Sequence, residues 1–178
     1  LAAGTNTRGG GDANPRHSGA FVVRYKKHAE KNGNKGGREM HIPTCQTQEL
    51  EILTFEQALV PTQWDFDREK WLYIPDHYAE YRYLLGTRGE NPLICIGINP
   101  STAAPGDLDN TLKSVERIAA GNGYDSFLMF NVYAQRATRP EDMDAQCNQA
   151  LHRENMTAFR YVLSQVGAGF TPAVWAAW

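Results

Sequence analysis

Two buried runs with a capped amphipathic segment between them constrain this chain more than anything else in it. LICIGI at 93–98 is apolar throughout, without the alternation that marks a strand with one wet face, so it reads as a strand covered on both sides. FLMFNV at 127–132 reads as a second buried strand. Between them, Asp107 or Asp109 can cap a helix whose apolar positions Leu108, Leu112, Val115, Ile118 and Ala119 share one face, and Gly121 to Gly123 ends it. Strands alternating with helices at these lengths imply right-handed crossovers and a parallel sheet with helices on both faces.

The flanking segments add elements around that unit. TQELEILTFEQAL at 47–59 carries Leu50, Leu53 and Ala58 at near-helical spacing and is stopped by Pro61, which predicts a short helix. WLYI and YRYLLG read as aromatic-rich strands separated by a turn around Pro75 and Asp76. Arg139, Pro140, Glu141 and Asp142 open a further helical region. Met143, Cys147, Ala150 and Leu151, then Ala158, Phe159, Val162 and Val166, would face inward there, and the polar run 153–155 can break it in two. Residues 173–178 predict a third strand.

Three parts follow. Residues 1–45 are Gly-, Asn- and Lys-rich and cannot bury enough surface to offset their ordering entropy, so disorder is expected. A basic arm for nucleic acid, or sequence lying upstream of a start at Met40, are the other readings. Residues 46–70 form the short helix and a linker. Residues 71–178 are expected to form an α/β domain; because the sequence stops at Trp178 within what looks like a strand just begun, the expectation is that its last strand is missing.

A formal charge of −2 and a pI near 6.2 leave no global basic field, so contact with nucleic acid would need a local patch. The three cysteines show no zinc or redox spacing. Cys95 and Cys147 read as small core residues and Cys45 as a loop position, in a reduced cytoplasmic setting. No apolar run reaches the roughly 20 residues a membrane span needs. The expectation is a soluble protein with no metal and no cofactor; the oligomeric state stays open.

Candidate chemistry gathers in the two loops after the buried strands. Gly97 permits close approach of another group, Pro100 stiffens the turn, and Asn99, Ser101 and Thr102 bring an amide and two hydroxyls near a helix start. The amide could hold a water or a substrate oxygen; equally, Asn99 and Ser101 could satisfy loose backbone groups at a tight turn. No Gly-Lys-Ser/Thr follows, so this is not a P-loop, although a helix amino terminus could still hold an anion. Asn131 could read a nucleobase edge, or bond to neighbouring loop backbone. Arg136 and Arg139 could meet phosphates or be solvated surface.

Asp107 and Asp109 read as helix caps rather than metal ligands. His17, His28, His41, His77 and His152 show no ligand spacing and read as surface residues. Trp71, Tyr78, Tyr81 and Tyr83 could stack on a base, or simply fill the core.

YRYLLG, GINPSTA, DNTLKSVERIA and FNVYAQRATRPEDM together resemble the bacterial domain-of-unknown-function family 1643, over residues 71–178. More distantly, GINP after a first parallel strand is similar to the first motif of mismatch-specific members of the uracil-DNA glycosylase superfamily. FNVYAQRAT resembles the Asn-Leu-x-x-Arg-Pro-Thr segment on the next strand of several of its families. That resemblance implies a three-layer α/β/α sandwich around a parallel four-stranded central sheet. It further implies hydrolysis of an N-glycosidic bond in DNA or a nucleotide, with Asn99 positioning the attacking water. Gly97, Pro100, Ser101, Thr102, Asn131 and Arg136 would bind the substrate, Asn131 reading a flipped pyrimidine.

The chain departs from that pattern in three ways. Ser101 replaces a glycine, no acidic water-activating residue follows the first motif, and the last motif would lie beyond Trp178. The alternative is a non-catalytic module of the same fold that binds a nucleotide or nucleic acid. A third is an interaction protein whose polar loops are purely structural.

Overall fold

The structure, a computed structural model, describes residues 40–165 and 172–177. The predicted strand–helix–strand unit is its centre. β3 (Pro92–Gly97) and β4 (Ser126–Asn131) pair in parallel, from Pro92 opposite Ser126 to Gly97 opposite Asn131. Helix α2 (Asn110–Gly121) makes the crossover. The Asp109 carboxylate accepts the Leu112 N–H at 2.9 Å and so caps it. Gly123, at φ +81°, turns the chain away at its end.

β5 (Val174–Ala176) adds to β3 in parallel. β2 (Leu84–Thr87) lies on the far side of β4 and β1 (Trp71–Ile74) outside it, both pairings antiparallel, giving the order β1-β2-β4-β3-β5. The fold is thus mixed α/β with a mixed sheet, and the expectation of parallel strands holds only for β4, β3 and β5. The cause lies in the links on both sides of β2, residues 75–83 and 88–91, each shorter than the dozen or so residues a parallel crossover takes, so β2 runs opposite to the strands before and after it.

Side chains alternate between two cores. On one face Leu72, Ile74, Leu84, Ile94, Leu128 and Phe130 meet α1 (Phe55–Ala58) and α3 (Gln149–Gln165). On the other, Tyr73, Leu85, Leu93, Cys95, Phe127 and Met129 meet Leu112, Val115 and Ala119 of α2. Helices cover both faces, as the apolar strands required. Trp71, Tyr81 and Tyr83 are core residues.

Two predicted helices differ in form. Residues 47–59 yield a 3-10 turn at Thr47–Glu49 and then only α1, capped at its amino end by a Thr54 and Gln57 capping box. Between them tertiary bonds replace helical ones: Tyr81 Oη accepts the Leu53 N–H at 2.9 Å, and Tyr83 Oη donates to Leu53 O at 2.7 Å. The region after Pro140 starts as a 3-10 turn at Pro140–Asp142, and α3 then runs unbroken through 153–155. Asn155 is buried there and donates to Asn131 O at 2.9 Å, so the polar residue fastens the helix to β4 instead of interrupting it. Cys147 precedes α3 and is exposed, against its expected place in the core; Cys95 is buried.

Residues 1–39, Val166 and Trp178 lie outside the described residues, with His17 and His28 among them. Among the described residues no helix is long and apolar enough to cross a membrane. They also contain no group of three His, Cys, Asp or Glu residues that could hold a metal.

Candidate functional site

Because β3 and β4 run in parallel and end side by side, the loops that follow them are forced together at one edge of the sheet. Val132 N donates to Gly97 O at 2.8 Å, Tyr133 N to Ile98 O at 3.0 Å and Ala137 N to Pro100 O at 3.0 Å. Asn99 completes this seam. Its Nδ2 donates to Ala137 O at 2.8 Å and to Pro100 O at 3.1 Å, so both amide hydrogens are spent on backbone and Oδ1 is its remaining acceptor. Ser101 Oγ and Thr138 Oγ1 join the loops further out at 3.1 Å. Gly97 has the close approach its residue type suggested: a Cβ there would come within 2.8 Å of Asn131 Nδ2 and 2.6 Å of Met129 Cε.

The unexpected feature is a pair of buried arginines. An isolated antiparallel bridge joins Tyr81 to Gln135, with Arg82 N donating to Ala134 O at 2.9 Å and Arg136 N to Glu80 O at 2.8 Å. On such a ribbon residues 82 and 136 are diagonal neighbours on one face. Both are buried, at 1% and 0% exposure, and both guanidinium groups donate to the same carbonyl. Arg82 Nη1 reaches Ala103 O at 3.0 Å and Arg136 Nη1 reaches it at 3.2 Å.

Arg136 also donates to Ser101 O and, at 2.8 Å, to Tyr73 Oη, and its guanidinium stacks 4.2 Å from the Tyr78 ring centre. Arg82 Nη2 donates to Asn131 Oδ1 at 3.4 Å. Among the described residues neither arginine has a carboxylate in ion-pair contact. Arg82 Nε, Arg136 Nε and Asn131 Nδ2 are buried without a hydrogen-bond partner.

Such an arrangement is costly. A desolvated charge without a counter-ion costs several kcal/mol, and two like charges that share one carbonyl acceptor repel each other besides. Burial, and after it the Arg136 charge, pulls the Arg82 guanidinium down to about 9. It remains a cation at neutral pH.

Next to the loop after β3 lies a cleft of about 300 Å³, lined by Met40, Ser101, Thr102, Asp109, Asn110, Thr111 and Thr138. Of the site residues expected from sequence, Ser101 and Thr102 line this cleft. Pro100 and Gly97 shape the strand end beneath it, and Arg136 supports its wall through Ser101 O. Asn99 and Asn131 do not line it; one amide clamps the loop seam and the other faces Arg82. Arg139 is exposed.

Arg82 is not among the candidate residues that the sequence singles out. The available signal was a charged residue inside an aromatic strand run, where alternation puts it opposite Tyr81 and Tyr83.

Residues at the start of the described chain strap this site. His41 N donates to Thr138 Oγ1 at 2.8 Å, and Thr138 N donates to His41 O at 2.9 Å. The His41 ring, with its side chain 9% exposed, lies between Glu80 Oε2 and Tyr78 Oη, each at 2.9 Å. A carboxylate only accepts, so the neutral ring carries its proton on Nε2 and takes the Tyr78 hydroxyl hydrogen on Nδ1. Its expected surface position is therefore corrected.

Burial, aided by the Arg136 charge and opposed by Glu80, lowers the His41 pKa below 6.5. Unfolded chains then bind the proton more readily than the native state, so this contribution is complete above pH 6.5 and is lost as pH falls from there through the lower native value. Melting curves between pH 7.5 and 5.5 are expected to show that loss, with a shallower slope in His41→Gln. An identical slope in the variant would refute the assignment.

Comparison with known families matches residues 82–178 to the family described as Protein of unknown function (DUF1643). Comparison with curated proteins and with solved structures yields no match.

Proposed function

The chain belongs to that family, and we propose that it is a module that binds a nucleotide or nucleic acid in the cleft beyond β3 and β4. One observation carries this reading: a hydroxyl-lined cleft at the carboxyl ends of parallel strands stands directly on a buried arginine, through the Arg136 bond to Ser101 O. Ligands of α/β sheets bind at that end, and hydroxyls with helix N–H groups suit phosphate and sugar oxygens. The motif resemblance, with helices on both sheet faces, supports the glycosylase-like α/β/α sandwich as the wider relation.

Hydrolysis of an N-glycosidic bond is the second reading. Its support is Asn99, whose two donated hydrogen bonds hold Oδ1 in a set orientation where it could accept from a water. Binding without hydrolysis is favoured because the two amides do not share the cleft.

The test uses the whole chain with single-stranded and duplex oligonucleotides containing uracil, and with free nucleotides. It measures fluorescence anisotropy for binding and abasic sites for base release. Expected are saturable binding, weakened in Thr102→Val, and no release. Abasic sites that vanish in Asn99→Ala would establish the hydrolase instead. A folded protein that binds none of these ligands would sink the nucleotide reading.

A further inference from the structure

The nucleotide reading leaves Arg82 unexplained, because that residue neither lines the cleft nor pairs with any described acid. The hydrogen-bond partners of its charge and that of Arg136 are all neutral, the carbonyls of Ser101 and Ala103, the Asn131 amide and the Tyr73 hydroxyl, with the Tyr78 ring stacked on Arg136 and the Asp109 carboxylate acting on Arg82 only at longer range. Two of those acceptors belong to a single loop. Its carbonyl oxygens occupy positions that oxygens of an anion would fill. The loop is held on its outer side by the Ser101 to Thr138 hydroxyl contact and by the paired backbone bonds of Ala104 and Asp107.

We propose that Arg82 and Arg136 together form a phosphate site beneath residues 101–104, reached when that loop yields its carbonyls to the ligand. The inference rests on the nucleotide reading and names the group that anchors the ligand. Charge favours phosphate over a carboxylate, since two fixed guanidinium groups match a dianion and one carboxylate would neutralise only half of them. The unpaired Nε atoms of both arginines are the donors that incoming oxygens would take up. The α2 amino terminus, at Asn110 and Thr111 on the cleft wall, adds its field in the same sense. Asp109, the helix cap, opposes it from the same wall.

The experiment compares inorganic phosphate with chloride at matched ionic strength on the whole chain, by melting temperature and calorimetric titration. Uridine and uridine monophosphate are run in parallel. Phosphate is expected to raise the melting temperature saturably, as any ligand selective for the native state does. Arg82→Gln and Arg136→Gln should each weaken phosphate binding about tenfold or more, with Arg136→Lys recovering part of the loss.

Equal melting temperatures in phosphate and chloride overturn the proposal without any variant, and so does undiminished phosphate binding in both glutamine variants. Equal affinities for uridine and its monophosphate, with none for phosphate, would remove the anchor and leave the nucleotide reading standing. Phosphate binding to which neither uridine nor its monophosphate adds affinity would keep the anchor and remove the nucleotide.

Discussion

Replacing Gly86 by alanine is expected to destabilise the protein by about 4 kcal/mol, lowering the melting temperature by roughly 10 °C. Gly86 lies in β2 opposite Leu72 of β1 on one side and Leu128 of β4 on the other. A Cβ there would sit 2.3 Å from Phe127 O, 3.0 Å from Leu128 Cδ2 and 3.1 Å from Leu128 Cα. A flexible side chain could swing away, but a carbonyl in a central strand can move only by opening the β2–β4 pairing. The gain from a less flexible unfolded chain, about 0.4–1 kcal/mol, does not offset that. Gly121, at the end of α2, has nothing within 4 Å of its Cβ position. Gly121→Ala is the control, expected to be neutral or slightly stabilising. Equal melting temperatures for the two variants would show that β2 does not pack against β4 as described.

Asp76→Ala is expected to cost about 3 kcal/mol at neutral pH. Asp76 follows β1 and its side chain is 1% exposed. Its carboxylate accepts the Thr62 N–H at 2.8 and 3.0 Å and an Arg68 Nη2 hydrogen at 2.7 Å. These bonds fasten the loop before β1 to the strand's end, and removing the acceptor takes the Thr62 N–H from its partner and leaves Arg68 without its carboxylate.

Burial by itself would raise the Asp76 pKa. The nearby His77 ring, 3.8 Å away, and the hydrogen bonds from Arg68 and Thr62 outweigh it and hold the group below its ordinary 3.8. The carboxylate therefore contributes fully above pH 3.8 and loses its contribution as pH falls through the lower native value. The gap between wild type and Asp76→Ala in denaturant melts should be widest near neutrality and close in strong acid. A gap independent of pH would mean that packing around Asp76, not its charge, holds the loop.

How much of this could be read from residues alone differs between parts of the site. The loop after β3 was legible because glycine, proline, an amide and hydroxyls after an apolar run have few structural uses, and Ser101 and Thr102 do line the cleft. The direction of each amide was not legible. Asn99 and Asn131 both follow buried strands, yet one turns to Ala137 O and the other to Arg82, a choice made by partners 38 and 49 residues away. The polar run 153–155 reads as a helix break because three polar residues in a row interrupt the apolar positions. The acceptor of Asn155 is a backbone carbonyl in β4 that sequence spacing does not reveal.

The alternation of buried strands with a capped amphipathic helix determined by itself that β3, α2 and β4 form a parallel unit, since hydrophobic period and capping act within a few residues. Everything that makes its far end unusual came from tertiary structure. The antiparallel seating of β2 against β4, and the short bridge of Tyr81 with Gln135, bring together two arginines 54 positions apart in the chain and remove both from water. Arginine is hydrophilic in any local reckoning. Its burial follows from what the rest of the fold places around it, because desolvation and like-charge repulsion depend on neighbours that are distant in sequence.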